Sequence, residues 1–213
     1  MKPNSSFWRL NKNMRIFNYG QKEIDYLRKK DKKLCAAIDR IGRIEREVIP
    51  DLFTALVNSI VGQQISAKAA ETVWNRVTGK LGEITPGTIA EIPADRIQQC
   101  GLSHRKVQYI KGIGQAVLDG RIDLELLQRS EDAGVISCLS SLNGIGKWTA
   151  EMLLIFSMER PDVVSWGDLA IQRGMMKLYG LKTLTKEQFD RYAKRYSPYG
   201  TVASLYLWEI SRE

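Results

Sequence analysis

At 213 residues the chain can bury one substantial hydrophobic core or two small ones, and one compact unit with two lobes is expected. Its net charge of +8 is uneven: residues 1–50 carry 13 Lys and Arg against 6 Asp and Glu, residues 51–213 carry 19 against 18, so bulk basicity does not by itself argue for a polyanionic partner. Three widely spaced cysteines (Cys35, Cys100, Cys138) argue against a disulfide framework or zinc site, the single histidine, His104, excludes a multi-histidine metal site, and the lack of a signal peptide or of roughly 20 consecutive apolar residues points to a soluble intracellular protein without a membrane partner.

Residues 1–20 mix Pro3, Asn4, Ser5, Ser6, Asn11, Asn13 and Asn18 with Phe7, Trp8, Ile16 and Phe17, and read as an N-terminal arm laid on a helical domain over 21–213. The cationic runs Arg28-Lys29-Lys30 and Lys32-Lys33 fit a solvated helix face and a nucleic-acid contact equally well. Beyond them apolar residues recur at helical spacing, as in Leu52, Phe53, Leu56, Val57 and Ile60, while strand-like alternation is scarce. The fold class is therefore all-α. Helices are predicted near 21–29, 31–41, 51–62, 66–78, 93–99, 103–118, 131–140, 147–157, 168–178, 185–195 and 200–211. Ser66 is a predicted N-cap, and Gly101, Gly180 and Gly200 stand where helices should stop or start. Internal repeats and low-complexity tracts are not evident.

The most informative stretch runs from Leu142 to Gly174, LNGIGKWTAEMLLIFSMERPDVVSWGDLAIQRG. Gly144 and Gly146 flank Ile145 in a two-glycine hairpin spanning 140–149, where absent Cβ atoms permit φ > 0 and let backbone N–H groups approach another molecule. The helix expected from Lys147 points its N-terminal partial positive charge the same way, which suits an anion such as a phosphate. Twenty residues beyond Trp148, Asp168 opens another helix after Trp166-Gly167. Taken singly, a Gly-x-Gly turn is a common connector and Asp a favoured N-cap. The joint pattern of hairpin, basic Lys147, aromatic Trp148 and helix-opening Asp168 carries more, and an Asp51 to Ser66 segment matches it upstream.

These segments, with AIDRIG, LVNSIVGQQISAKAAETVWNRV, GLSHRKVQYIKGI and YSPYGTVASLYLW, resemble the helix-hairpin-helix DNA glycosylase superfamily over roughly Asp31 to Trp208. The resemblance is to the 3-methyladenine DNA glycosylase II, or alkylpurine, type. It implies a two-lobed helical fold with the active site in the cleft between lobes, and duplex DNA containing a damaged base as the partner of a monomeric enzyme, in the cytoplasm of a prokaryote or the nucleus of a eukaryote. By that resemblance Asp168 is the catalytic carboxylate, stabilising the positive charge that builds on the sugar as base and deoxyribose separate. Trp148, Met152, Trp166 and Tyr199 would form the base pocket. Gly144, Ile145, Gly146, Lys147 and Thr149 would contact DNA at the hairpin, and Gln64, in Gly62-Gln63-Gln64-Ile65-Ser66, would fill the stack vacated by an extruded base. The carbonyls of Ser140, Leu142 and Ile145 match those that hold a structural monovalent cation in relatives. No other cofactor is implied, and the iron–sulfur cysteines of the endonuclease III branch are missing.

Trp148 separates branches of the superfamily, since members that also cut the backbone carry Lys there to form a Schiff base. A monofunctional, hydrolytic glycosylase is expected. The chain departs from the family pattern at Asn143, where a hairpin Pro is usual, at Trp166-Gly167, which replaces a Pro-containing stretch, and at Met152 and Tyr199, where alkylpurine enzymes carry tyrosine and tryptophan. Two other readings remain open: excision of a different damaged or mismatched base on the same scaffold, and a non-catalytic helix-hairpin-helix DNA-binding protein.

Overall fold

The computed structural model describes residues 15–213; the expected arm lies outside the described residues as far as residue 14. In chain order come strand β1 (Arg15–Ile16), α1 (Gln21–Lys30), α2 (Lys32–Ile41), strand β2 (Glu47–Val48), α3 (Leu52–Gly62), α4 (Ala67–Leu81), α5 (Pro86–Glu91), α6 (Ala94–Gln98), α7 (His104–Leu118), α8 (Leu124–Arg129), α9 (Asp132–Ser140), α10 (Lys147–Phe156), α11 (Leu169–Tyr179), α12 (Lys186–Tyr196) and α13 (Gly200–Arg212). The all-α expectation holds, with one small exception: β1 and β2 pair as a two-residue ladder.

Two helices, α5 and α8, escape the periodicity reading. Each has six residues, too few to repeat an apolar face, and each is set by its cap instead. Thr85 Oγ1 accepts from Thr88 N (3.1 Å) with Pro86 in the first turn, and Asp123 Oδ1 accepts from Leu126 N (2.9 Å). Ser66 caps α4 as predicted, accepting from Ala69 N at 3.3 Å, and α4 runs on to Leu81 before Gly82, at φ +72°, ends it.

The described residues divide into two compact units. In the unit over Ile49–Met158, α3 is the central element: Phe53, Leu56, Val57, Ile60 and Val61 are buried, each such side chain contributing about 1.5–3 kcal/mol. Helices α4, α7 and α10 pack around it, and α5 and α6 cover α7 through Ile89 and Ile97. The Lys111 ammonium donates to the carbonyls of Ile89, Ala90 and Ile92 at 2.7–2.9 Å, closing the end of α5.

The second unit joins residues 16–48 to 159–213. Its core is the packing of α11 on α13, where Gly174 admits the Leu207 backbone: a Cβ there would lie 2.7 Å from the Leu207 carbonyl carbon and closer still to its oxygen. Buried Tyr196 and Tyr206 add bulk, and α1, α2 and α12 complete the unit. Phe17 and Tyr19, from the arm's last residues, are buried, and the Tyr19 hydroxyl both donates to Ile44 O (2.7 Å) and accepts from Ile44 N (2.9 Å). Asp31 caps α2 and accepts from the Tyr179 hydroxyl (2.5 Å), which also lies 2.8 Å from that of Tyr196. Burial holds both phenols' pKa values well above the ordinary range. Among the described residues no helix is long and apolar enough to cross a membrane.

Candidate active site

The hairpin of the first unit joins α9 to α10. Ile145 turns inward, is buried, and its N–H donates to Leu142 O at 3.1 Å, which closes the turn. Gly144 takes φ +89°, the left-handed conformation expected of it, for a second reason too. A Cβ there would stand 2.9 Å from Ile60 Cδ1 on α3 and closer to the Tyr109 ring on α7, so the hairpin lies flush on two helices.

Gly146 is free to take positive φ and does not. It is the N-cap of α10 in ordinary extended geometry (φ −93°, ψ 171°), and a Cβ would meet no atom within 4 Å. The chain's own packing therefore leaves this position open, and with no side chain to cap it, the first turn of α10 presents main-chain donors outward.

On α10, Lys147 is exposed with its ammonium 4.0 Å from Glu151 Oε1. Trp148 is 48% exposed, so its indole is not core packing. Thr149 and Met152 are half-buried, and Met152 follows Trp148 by one helical turn on the same face. Behind the hairpin, the Ser140 hydroxyl is buried without a hydrogen-bond partner. The Ser140, Leu142 and Ile145 carbonyls are neutral oxygens, a donor set suited to a monovalent cation, although Leu142 O already accepts from Ile145 N and offers only its remaining lone pair. Among the described residues no group of three or more acidic, His or Cys side chains could hold a metal ion.

The turn between α3 and α4 meets the hairpin. Gln63 Nε2 donates to Gly144 O at 2.7 Å, and from α7 the Lys106 ammonium donates to Val61 O (2.8 Å) and Gln63 O (2.7 Å). Gln64, at the tip, is exposed with φ +58°, and Ile65 beside it is 39% exposed. Sequence reasoning placed Gln64 at this turn but missed Gln63, Lys106 and Tyr109, whose roles depend on neighbours more than 30 residues away. Only their place in the segments GQQIS and GLSHRKVQYI pointed toward them.

In the second unit, Asp168 is the N-cap of α11: its Oδ1 accepts from Ala170 N (2.8 Å) and Ile171 N (2.9 Å), and the residue is 7% exposed. The loop leading to it is laced to α13. Thr201 Oγ1 donates to Arg160 O (2.6 Å) and accepts from Val163 N (3.0 Å), while Ser204 Oγ donates to Val163 O (2.9 Å). Trp166 accepts at its carbonyl from Gln172 Nε2 (2.6 Å) and sets its ring edge-on to Phe189 of α12, 5.1 Å between centroids. Tyr199 opens α13 and packs edge-on to Tyr26 of α1, again at 5.1 Å. The first unit thus gathers Gln64 with the hairpin, and the second puts Trp166 next to the Asp168 cap.

Residues 57–198 match the family described as HhH-GPD superfamily base excision DNA repair protein. The chain is 34% identical over 165 residues to DNA-3-methyladenine glycosylase 1 of Schizosaccharomyces pombe, covering 75% of this chain and 72% of that protein. Among solved structures, a DNA-3-methyladenine glycosidase from Bacillus halodurans superposes with a TM-score of 0.82 at 37% identity, covering 93% of each chain. A 3-methyladenine DNA glycosylase from Schizosaccharomyces pombe in complex with abasic DNA gives 0.78 at 30%, covering 91% of this chain and 98% of that one.

Proposed function

Because the chain belongs to the HhH-GPD superfamily of base excision DNA repair proteins, we propose that it is a monofunctional DNA glycosylase that extrudes alkylated purines of the 3-methyladenine kind and hydrolyses their bond to deoxyribose. The observation that carries this is Asp168. Its carboxylate is buried and fixed in direction by two N–H donors at the head of α11, at the position where the resemblance to the superfamily puts the catalytic acid. The names of the relatives support the alkylated purine as substrate.

In the reaction the C1′–N bond breaks with its electron pair leaving on the base, and a water oxygen bonds to C1′ while that water gives up one proton to the Asp168 carboxylate or to solvent. The Asp168 carboxylate faces the positive charge that develops on the sugar and orients that water, an interaction stronger in the transition state than in the ground state. An alkylated purine already carries positive charge and leaves readily, so a second acid is dispensable. The exposed indole of Trp148 stacks on the extruded base, with Met152 one helical turn along the same face. Gly144, Gly146, Lys147 and Thr149 hold a backbone phosphate at the hairpin, Ile145 anchors that turn rather than contacting DNA because its side chain is buried and its N–H is spent on Leu142 O, and Gln64 fills the vacated stack. A monovalent cation on the Ser140, Leu142 and Ile145 carbonyls would add positive charge to that phosphate site.

Trp148 has no amine, and the product is an intact abasic site. The deciding experiment treats methylated duplex DNA with the protein and identifies the released bases by chromatography. Release of 3-methyladenine or 7-methylguanine is expected. Binding to that DNA without release of any base would refute the enzymatic reading.

A further inference from the structure

The turn that presents Gln64 is unusual in a way its sequence does not announce. Gln64 holds a left-handed backbone conformation, φ +58°, that glycine or asparagine would adopt at lower cost. A glutamine kept there needs surroundings that over-determine it. Two side chains supply them. Lys106 reaches from the first turn of α7 to the carbonyls of Val61 and Gln63, groups left unpaired where α3 ends, and its positive charge lies at the negative end of that helix. Gln63, with its carbonyl held by Lys106, turns its own amide to the carbonyl of Gly144 at the hairpin. Lys106 is half-buried, and burial lowers its pKa from the ordinary lysine value. A lysine whose work was to meet phosphate would sit in water, as Lys147 does.

We infer that Lys106 and Gln63 are positioning residues for base extrusion: together they lock the Gln64 turn to the hairpin, so that holding a phosphate and inserting into the stack are done by one rigid piece of backbone. Neither touches the reacting atoms. The inference rests on the reading of the Gln64 turn as the element that enters the stack. Without the Lys106 ammonium, the end of α3 frays and Gln64 relaxes toward a commoner conformation. Without the Gln63 amide, the turn and hairpin lose their direct bond.

The test uses the full chain and duplexes carrying one alkylated purine of the kind released from methylated DNA, either normally paired or opposite a mismatch, with rates measured under single-turnover conditions. Lys106→Met keeps the reach of the side chain and removes its donors. It should slow excision from the paired duplex by about 10- to 100-fold, the scale of loss from misplacing a working group by an ångström, and change the mismatched duplex by less than about threefold, because extrusion there needs little help. Lys106→Arg, which still donates, should recover most of the rate. Gln63→Leu should repeat the paired-duplex loss in weaker form. Affinity for undamaged duplex and its salt dependence should match the unsubstituted protein in all three.

Equal losses on both duplexes would show a merely structural role and overturn the inference. So would a salt slope reduced by about one, the mark of a lost phosphate contact. If Lys106→Met fails to fold, Lys106→Arg and Gln63→Leu decide by the same comparison. Gln64→Ala run in parallel separates the two claims: a paired-duplex loss in Gln64→Ala alone refutes the positioning role and keeps the wedge. The converse pattern keeps the positioning role and moves insertion to Ile65.

Discussion

Replacing Asp168 by Asn separates the capping role seen in the structure from the catalytic role proposed for the same side chain. As N-cap, Asp168 Oδ1 accepts from Ala170 N and Ile171 N, and an asparagine oxygen can accept the same two bonds, so stability should change by no more than about 0.5 kcal/mol. As a charge, the carboxylate has no substitute. A unit charge about 4 Å from a developing cation, at an effective dielectric constant of about 20, contributes about 4 kcal/mol. That corresponds to about a thousandfold in rate. Asp168→Asn should therefore melt with the unsubstituted protein, bind damaged duplex with similar affinity, and release base about a thousandfold more slowly under single-turnover conditions. Asp168→Ala loses the cap as well, and should be destabilised by about a further 1 kcal/mol. Full activity in a folded Asp168→Asn protein would leave only the capping role and refute the catalytic assignment.

The two hairpin glycines should behave differently. Gly144→Ala, with φ +89° and Tyr109 and Ile60 in the way, should lose about 2 kcal/mol or more and lower the melting temperature, whereas Gly146→Ala should melt normally but bind every duplex several-fold more weakly, as fluorescence anisotropy against salt would report. Borohydride added during turnover should trap no adduct, and product strands should be cut only after alkali; a trapped complex would show that some lysine serves as nucleophile. Gln64→Gly relieves a left-handed side chain and should stabilise the protein by up to about 1 kcal/mol in denaturant titration, while slowing excision from paired DNA. Stability should also fall above about pH 10, because unfolded phenols ionise there while Tyr179 and Tyr196, with raised pKa values, keep their protons. The folded state then binds more protons than the unfolded one, so the unfolding free energy declines with pH, and Tyr196→Phe should make the decline shallower.

What could be read from the sequence was what lies close along the chain. Asp168 was recognisable because a cap announces itself beside the helix it opens, and the hairpin because its two glycines bracket a single apolar residue. Helices α5 and α8 were missed because six residues cannot show a period, though Thr85-Pro86 and Asp123 were readable as caps. Both hairpin glycines permit positive φ, yet only Gly144 uses it, because the helix that Gly146 opens begins from extended backbone that any residue can adopt. Lys106, Tyr109 and Gln63 could not be assigned at all. A lysine on an amphipathic helix reads as solvated until the carbonyls it meets, 43 and 45 residues earlier, are brought to it by packing.

The meeting of α11 and α13 at Gly174 bears on how such a chain can change over time. The spacing of these helices is set by main chain against main chain, the Gly174 Cα facing the Leu207 carbonyl, rather than by the bulk of interdigitating side chains. Asp168 stands six residues before that contact, about 9 Å along the helix. Side chains elsewhere on the two helices can thus be exchanged without altering their separation, and the carboxylate stays where the backbone puts it. A lineage built this way can vary side chains around the α11–α13 pair, as at Tyr199 where α13 opens, while the proposed catalytic acid, Asp168, remains fixed. In such a scaffold preference for one damaged base over another can drift while the capacity to cut persists.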